Sequence, residues 1–463
     1  MSKRIAAIGR VLVLAVSALA PYADGQVLSR ADEAFLKDQA RRIVESARLP
    51  AGGSSGTWRN TTPYALHVPG GNMGYPAYWI RDSIMMLGGD FIPAAEIEGW
   101  IRLIVGTLLG PGDWEVRPGV VVPAYAVPDH INFDGLPTFY PGNYETGDKQ
   151  GGSPWGKYPP LDDHFYFIGA VFEHWRMSGS LNLFRSKMRT SFSLEKLSDL
   201  CEKIYRIAPS DPITGLVTAG PIETENAKDW GFCDAESKSG KLLFPSLLKY
   251  EAALRLTTLF EAAGEPGKAE AYRRDAARIR KALPATFLRM SPDGAEAWLH
   301  SATEVGNQPD VWGSAFAVAI GALDEPAAGQ VARALVRGFR EGTTVRQGWV
   351  RHLPKTGRGD AGNWTVSVAK PGEYQNGGYW GTPTGWVIAA IRRVDPKAAA
   401  DMAREFVASL RKNLRPDGTT QAWEWFNPDT GGASNPLYVA TIALPYLSLK
   451  AAGLLNGPAA AKR

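Results

Sequence analysis

The sequence predicts an all-α fold in which six helical hairpins close into an (α/α)6 toroid, with long active-site loops on one rim. Two observations lead there. Helical periodicity recurs along the 463 residues, whereas strand-like alternation is scarce. The helical stretches also fall into pairs joined by short Gly, Pro or acidic turns: AAGEPG at 262–267, GALDEP at 321–326 and RRVDP at 392–396. Between the pairs lie long Gly- and Trp-rich loops at 110–160, 208–241, 341–382 and 413–435. Loops this long are uncommon unless they serve a site, which counts against a plain helical bundle.

Taken in order, the first helix is expected over 30–47, with Ser29 as its N-cap, followed by 80–90 and 94–109. Asp162-Asp163-His164-Phe165 opens the next helix, over 161–177. There Asp163 either caps the helix or faces the central pocket. Segments 193–207 and 242–263 follow. Over 267–284, Tyr272, Ala276, Ile279 and Leu283 share one face. Asn307-Gln308-Pro309-Asp310 places a polar rim loop before a small-residue helix at 311–321, with Gln308 and Asp310 as sugar-binding candidates or, for Asp310, an N-cap. Helices at 325–340 and 383–392 come next. Met402, Phe406 and Leu410, reinforced by Ala403 and Val407, define 396–412, and 436–453 completes the set.

The N-terminus, MSKRIAAIGRVLVLAVSALAPYADGQ, has Lys3 and Arg4, then an apolar stretch broken by Arg10, then the small residues Ser17 to Ala20. This is the pattern of a secretory signal region over 1–25, leaving 26–463 as one catalytic domain in a secreted or periplasmic protein. Val11 to Ala20 is too short to span a bilayer, and no later segment is suited to an integral membrane helix. Removing residues 1–20 lowers the formal net charge from +4 to about +1, so no basic excess suggests a nucleic-acid partner. Cys201 and Cys233 are expected as buried thiols rather than a bridge. His164 and His174 lack zinc partners, and the Asp129 to Gly135 loop departs from calcium-loop spacing, so neither a metal nor a cofactor is assigned.

The chain carries 15 Trp and 16 Tyr beside 50 Gly and 33 Pro. Long irregular loops bearing aromatic rings around a groove suit a glycoside or oligosaccharide substrate, whose flat C–H faces rest on rings while its hydroxyls need charged or amide partners. The loops also hold the carboxylates. Glu223-Thr224-Glu225-Asn226-Ala227-Lys228-Asp229-Trp230-Gly231-Phe232-Cys233-Asp234 places four in twelve residues among aromatic rings. In Gln421-Ala422-Trp423-Glu424-Trp425-Phe426-Asn427-Pro428-Asp429-Thr430-Gly431, Glu424 lies between two indoles ahead of a turn. Two such groups suit glycosidic hydrolysis, which needs an acid for the departing oxygen and a second carboxylate to attack the sugar or to activate water.

In these ordered motifs the chain resembles the clan of six-hairpin glycosidases that includes glucoamylases, trehalases and processing α-glucosidase-like enzymes. The resemblance extends over roughly 60–453. Tyr78-Trp79-Ile80-Arg81-Asp82 is similar to the clan's Trp-x-Arg-Asp element, implying that Arg81 and Asp82 bind the terminal sugar, with Tyr78 and Trp79 beside them. Glu225-Asn226-Ala227-Lys228-Asp229 resembles an acid loop and implies Asp229 as general acid. Here Lys228 stands where the clan commonly has Trp, and Trp230 follows, which leaves Asp234 and Glu223 as competitors. The Glu424 segment resembles the base element, with Phe426 replacing a Tyr; this implies Glu424 as general base and inversion of configuration. Gln375-Asn376-Gly377-Gly378-Tyr379-Trp380 resembles an Asn-Gly-Gly-x-Trp loop, so Gln375 and Asn376 are expected on sugar hydroxyls. Trp230, Trp380, Trp423 and Trp425 are candidate platforms. The activity implied is exo-hydrolysis of a glycoside, with an α-glucoside expected. Hydrolysis of another sugar class, a polysaccharide lyase or disaccharide phosphorylase on the same toroid, and an inactive glycan-binding protein are the competing functions.

Overall fold

A computed structural model of the chain describes residues 26–89, 91–117, 120–139, 160–221, 228–229, 233–356 and 362–455. The proposed signal region lies outside them. Among the described residues there are thirteen α-helices: α1 (Arg30–Ser46), α2 (Ile80–Met85), α3 (Ala94–Thr107), α4 (Asp163–Ser178), α5 (Asn182–Arg185), α6 (Leu197–Tyr205), α7 (Leu243–Ala263), α8 (Pro266–Phe287), α9 (Val311–Ala319), α10 (Ala327–Arg340), α11 (Thr384–Arg392), α12 (Pro396–Lys412) and α13 (Val439–Ala451).

The inner wall consists of α2, α4, α7, α9, α11 and α13. Each packs on the next, and α13 packs back on α2, so the ring closes. The cause is visible in side-chain burial. Every residue from Val311 to Val318 in α9 is buried, as in a helix apolar on nearly every side, and all six residues of α2 are buried too, its Arg81 and Asp82 held by polar partners. The outer helices α1, α3, α6, α8, α10 and α12 are one-sided. Tyr272, Ala276, Ile279 and Leu283 of α8 face inward, as do Met402, Phe406 and Leu410 of α12. Six outer–inner pairs result, which is the (α/α)6 toroid. No described helix is long and apolar enough to cross a membrane.

Caps and turns set the hairpins. The Ser29 hydroxyl accepts from Asp32 N at 3.1 Å to start α1, and Asp395 accepts from Ala398 N at 3.0 Å to start α12. Between α7 and α8, Gly264 takes a left-handed φ of 78° and Pro266 begins the next helix, so two residues reverse the chain. The ring is sealed by the Gln39 side chain of α1, which donates to Gly418 O at 3.1 Å and accepts from Thr420 N at 2.7 Å.

Some boundaries differ from expectation. Helix α2 stops at Met85, ahead of Gly88, whose φ is 106°. Helix α6 starts at Leu197 because Leu194–Lys196 pairs with Lys187–Arg189 as a short hairpin. Helix α5 was not anticipated. The long loops contain two- and three-stranded ribbons rather than plain coil. Trp425–Asn427 pairs with Gly432–Ser434, and Tyr78–Trp79 pairs with His130–Ile131, which in turn pairs with Pro137–Thr138. All the long loops run from an outer to an inner helix, so they gather at the N-terminal ends of the inner ring.

Candidate active site

At that end the loops enclose a cavity of about 390 Å³. Tyr75, Trp79, Arg81 and Asp82 reach it from the first α2 turn and the loop before it. Asp234 comes from the strand Cys233–Ser237, Val368 to Gln375 from the loop before α11, and Glu424, Trp425 and Tyr438 from the approach to α13.

Glu424 is fixed by its backbone, whose N–H donates to Ser434 O and Asn435 O at 3.1 and 3.0 Å. Its carboxylate accepts the Tyr75 hydroxyl at 2.9 Å and the Asn435 amide at 2.5 Å. Burial pushes its pKa up to about 8; those two donors oppose the rise, and the charges of Asp82 and Asp234 add to it. Asp82 accepts the Tyr438 hydroxyl. Burial raises Asp82 to about 6, held down by the Arg81 guanidinium and Tyr438. Arg81 itself clamps Asp162 with two hydrogen bonds, Nε to Oδ2 at 2.7 Å and an Nη2 contact to Oδ1 at 3.2 Å, both groups being buried.

Asp234 is raised chiefly by burial, with Arg81 as the main opposing influence. One carboxyl oxygen lies 3.4 Å from the Tyr374 hydroxyl, and the Gln375 side chain also holds the pKa down; the second oxygen is buried. The cavity therefore holds two carboxyl groups raised by burial, Glu424 held by two donors and Asp234 by a longer contact.

Backbone strain concentrates here. Tyr75, Tyr374 and Asn435 have φ of 57°, 48° and 44°, in the left-handed region that side chains rarely adopt, and Met73, Ala422 and Leu437 do the same nearby. Close packing enforces it. Gly378 lies so near its neighbours that a Cβ there would stand 2.5 Å from Tyr374 O and 2.9 Å from the Trp425 ring.

Of the side chains expected at a site, the structure brings Trp79, Arg81, Asp82, Asp234, Gln375, Glu424 and Trp425 to this one cavity. Others serve its walls. Tyr78 is wholly buried against Trp100, ring centroids 5.3 Å apart. Trp380 is likewise buried and donates to Tyr374 O at 3.1 Å, so it supports a cavity residue from behind. Trp423 packs half-buried against the core. Asn376 accepts from Trp364 N and donates to Ala369 O, each at 2.8 Å, tying down the loop before α11. Gln308 binds Asn363 O and Thr365 N, and Asp310 caps α9 through Gly313 N at 2.8 Å. Asp163 is fully buried off the cavity wall, its carboxyl driven well up by burial and by Asp162. The backbone of Lys228–Asp229 pairs with the Asp234 strand, but the Asp229 side chain, Glu223 and Trp230 lie outside the described residues.

Tyr75, Tyr374, Tyr438 and Asn435 are the site residues that sequence reasoning missed. Among the described residues no cluster of three or more His, Cys, Asp or Glu could hold a metal ion. His130 and Asp129 instead bond to each other at 2.7 Å, and the Trp79 ring stacks on His130 at 4.3 Å. Cys201 is a buried free thiol.

No protein-family model and no curated protein sequence matches the chain. Solved structures do. A glucoamylase from Saccharomycopsis fibuligera is 12% identical and superposes with a TM-score of 0.55, covering 93% of this chain and 97% of its own. A Streptococcus pneumoniae protein from a family of metal-independent α-mannosidases, solved in a non-productive complex with α-1,6-mannobiose, is 12% identical with a TM-score of 0.55, covering 96% and 98%. A glycosidase variant in complex with glucose is 14% identical with a TM-score of 0.53, covering 93% and 100%. At these identities the likeness is one of fold: the chain has the toroid of the six-hairpin glycosidases.

Proposed function

We propose that this protein is an exported glycoside hydrolase that removes a non-reducing terminal sugar, an α-glucoside being the expected substrate, with inversion of configuration. The observation that carries the reading is that Glu424 and Asp234 line one cavity, with Glu424 feeling the charge of Asp234, beside the Arg81–Asp82 pair and the Trp79 and Trp425 rings. The cavity lies at one end of the closed ring of inner helices, a position that suits a chain end. Its size is at the small end of the range for ligand pockets, about 300–1,000 Å³.

In this reading Asp234 replaces Asp229 as the general acid, because Asp234 reaches the cavity with a raised pKa while the Asp229 side chain lies outside the described residues. Asp234 passes that proton to the departing glycosidic oxygen as the C–O bond breaks. Water attacks the anomeric carbon from the opposite face, and its proton goes to Glu424. Two donors and no acceptor on Glu424 favour its ionised form. When Asp234 is protonated, its charge no longer pushes the Glu424 pKa up, so the acid-loaded state is also the one in which the base ionises most readily.

The fold likeness to a glucoamylase supports the glucoside expectation, and the likeness to an α-mannosidase makes an α-mannoside the competing substrate. The test is hydrolysis of α-glucosides, α-mannosides, trehalose, rhamnosides and unsaturated uronides, with the product anomer followed by NMR, for wild type, D234N, E424Q and D229N. Inverted monosaccharide lost in D234N and E424Q supports the assignment. Full activity in D234N with loss in D229N returns the acid to Asp229. Saturable glycan binding without turnover on any substrate overturns the hydrolase reading.

A further inference from the structure

The outer wall holds a second and larger cavity, of about 530 Å³, between α6, α7 and α8; it shares no lining residue with the catalytic one. Its chemistry centres on Lys249 of α7, which is 6% exposed. The Lys249 ammonium donates to Ser210 Oγ at 2.6 Å and stands 5.4 Å from the Tyr205 ring centre. The other cations on this wall already have carboxylates. Lys268 pairs with Glu202, Arg206 lies 3.6 Å from the same group, and Arg278 holds Asp275 at 2.5 Å. Among the described residues Lys249 has only a hydroxyl. A second polar group on the wall, the Tyr272 hydroxyl, is buried with no hydrogen-bond partner among the described residues.

A desolvated ammonium that feels the Asp275 carboxylate but makes no direct ion pair with it is costly to maintain, and a buried hydroxyl without a partner adds to that cost. Both are relieved by an oxyanion, which accepts from each. We propose that this cavity is an oxyanion-binding site for a small phosphorylated or carboxylated metabolite, its anionic group seated against the Lys249 ammonium with the Tyr272 hydroxyl as second donor. The volume leaves room for an organic body behind the anion. Charge on Lys249 is set by burial, which lowers its pKa to about 8, by Asp275, which raises it, and by Arg278, which lowers it. Tyr205 and Tyr272 also face it. A bound anion favours the ammonium, so affinity is expected to fall as pH rises through about 8 and beyond.

Calorimetric titration with inorganic phosphate and with acetate tests this on the wild type, K249M and K249R, with melting curves confirming that each is folded. The expected result is saturable binding to wild type, weakened about tenfold or more in K249M and retained in K249R, with glycosidase kcat/KM unchanged throughout. Binding of phosphate alone assigns a phosphoryl head group, and binding of acetate alone a carboxylate. Acetate keeps one charge between pH 6.5 and 9.5, so loss of its affinity across that range reports Lys249 even if K249M fails to fold. No saturable binding of either anion, equal affinity in K249M, or an acetate affinity that ignores pH overturns the proposal.

Discussion

Burial lifts Glu424 to about 8 even with the hydroxyl of Tyr75 and the amide of Asn435 opposing the rise. With Glu424 as the proposed base, which must be ionised to act, kcat/KM is expected to rise with pH along a limb set by Glu424, displaced upward from the usual carboxylate range. Removing either donor destabilises the anion. Y75F and N435A should therefore move that limb to higher pH, by up to about one unit each, with the glycoside still bound. A pH–rate profile of each variant checks this; a limb unmoved in both would show that the two side chains do not set the base. E424Q should lose about a hundredfold or more in kcat, measured on the best substrate found.

At the level of elements, the site depends on loops held in strained conformations by their neighbours. Gly378 is the tightest point, since any side chain there collides with Tyr374 O and Trp425. G378A should cost about 1–3 kcal/mol in a denaturant titration and lower kcat/KM together, because Tyr374 and Trp425 both line the cavity. Breaking the Arg81–Asp162 clamp takes two hydrogen bonds and the nearest counter-charge from a buried guanidinium, so D162A should destabilise by about 3–5 kcal/mol. These elements also explain what was legible in the sequence. Periodicity located all six hairpins because inner and outer helices must bury apolar faces, and Glu424 stood out by its indoles and its turn. Arg81 and Asp82 were legible as an adjacent pair. Tyr75, Tyr374 and Asn435 were not, since a lone loop residue with positive φ leaves no mark in spacing. Trp380 and Trp425 could not be separated either: both are tryptophans near glycines, and only packing puts one behind the wall and one on it.

Over the whole molecule, the carboxyl groups that make the site work also load the fold. Glu424 and Asp82 are raised to about 8 and about 6, so between the ordinary carboxylate range and those values the folded chain binds more protons than the unfolded one. Stability contributed by their protonated forms is present at low pH and is lost as pH rises toward about 8. E424Q should consequently be more stable than wild type at pH 8–9, by on the order of a few kcal/mol, and melt higher there, with the two proteins converging near pH 5. Equal melting temperatures at both pH values would sink this. The ring has a different consequence. Its first and last helices touch, and Val27 N donates to Leu454 O at 3.2 Å, so the ends of the described chain already sit side by side. A toroid joined in this way has no privileged starting point. Residues 26–455, linked head to tail by a few glycines and reopened at the Gly264–Glu265 turn, should fold into the same barrel and turn over the same glycoside, as a circular permutant that begins at its own fourth hairpin.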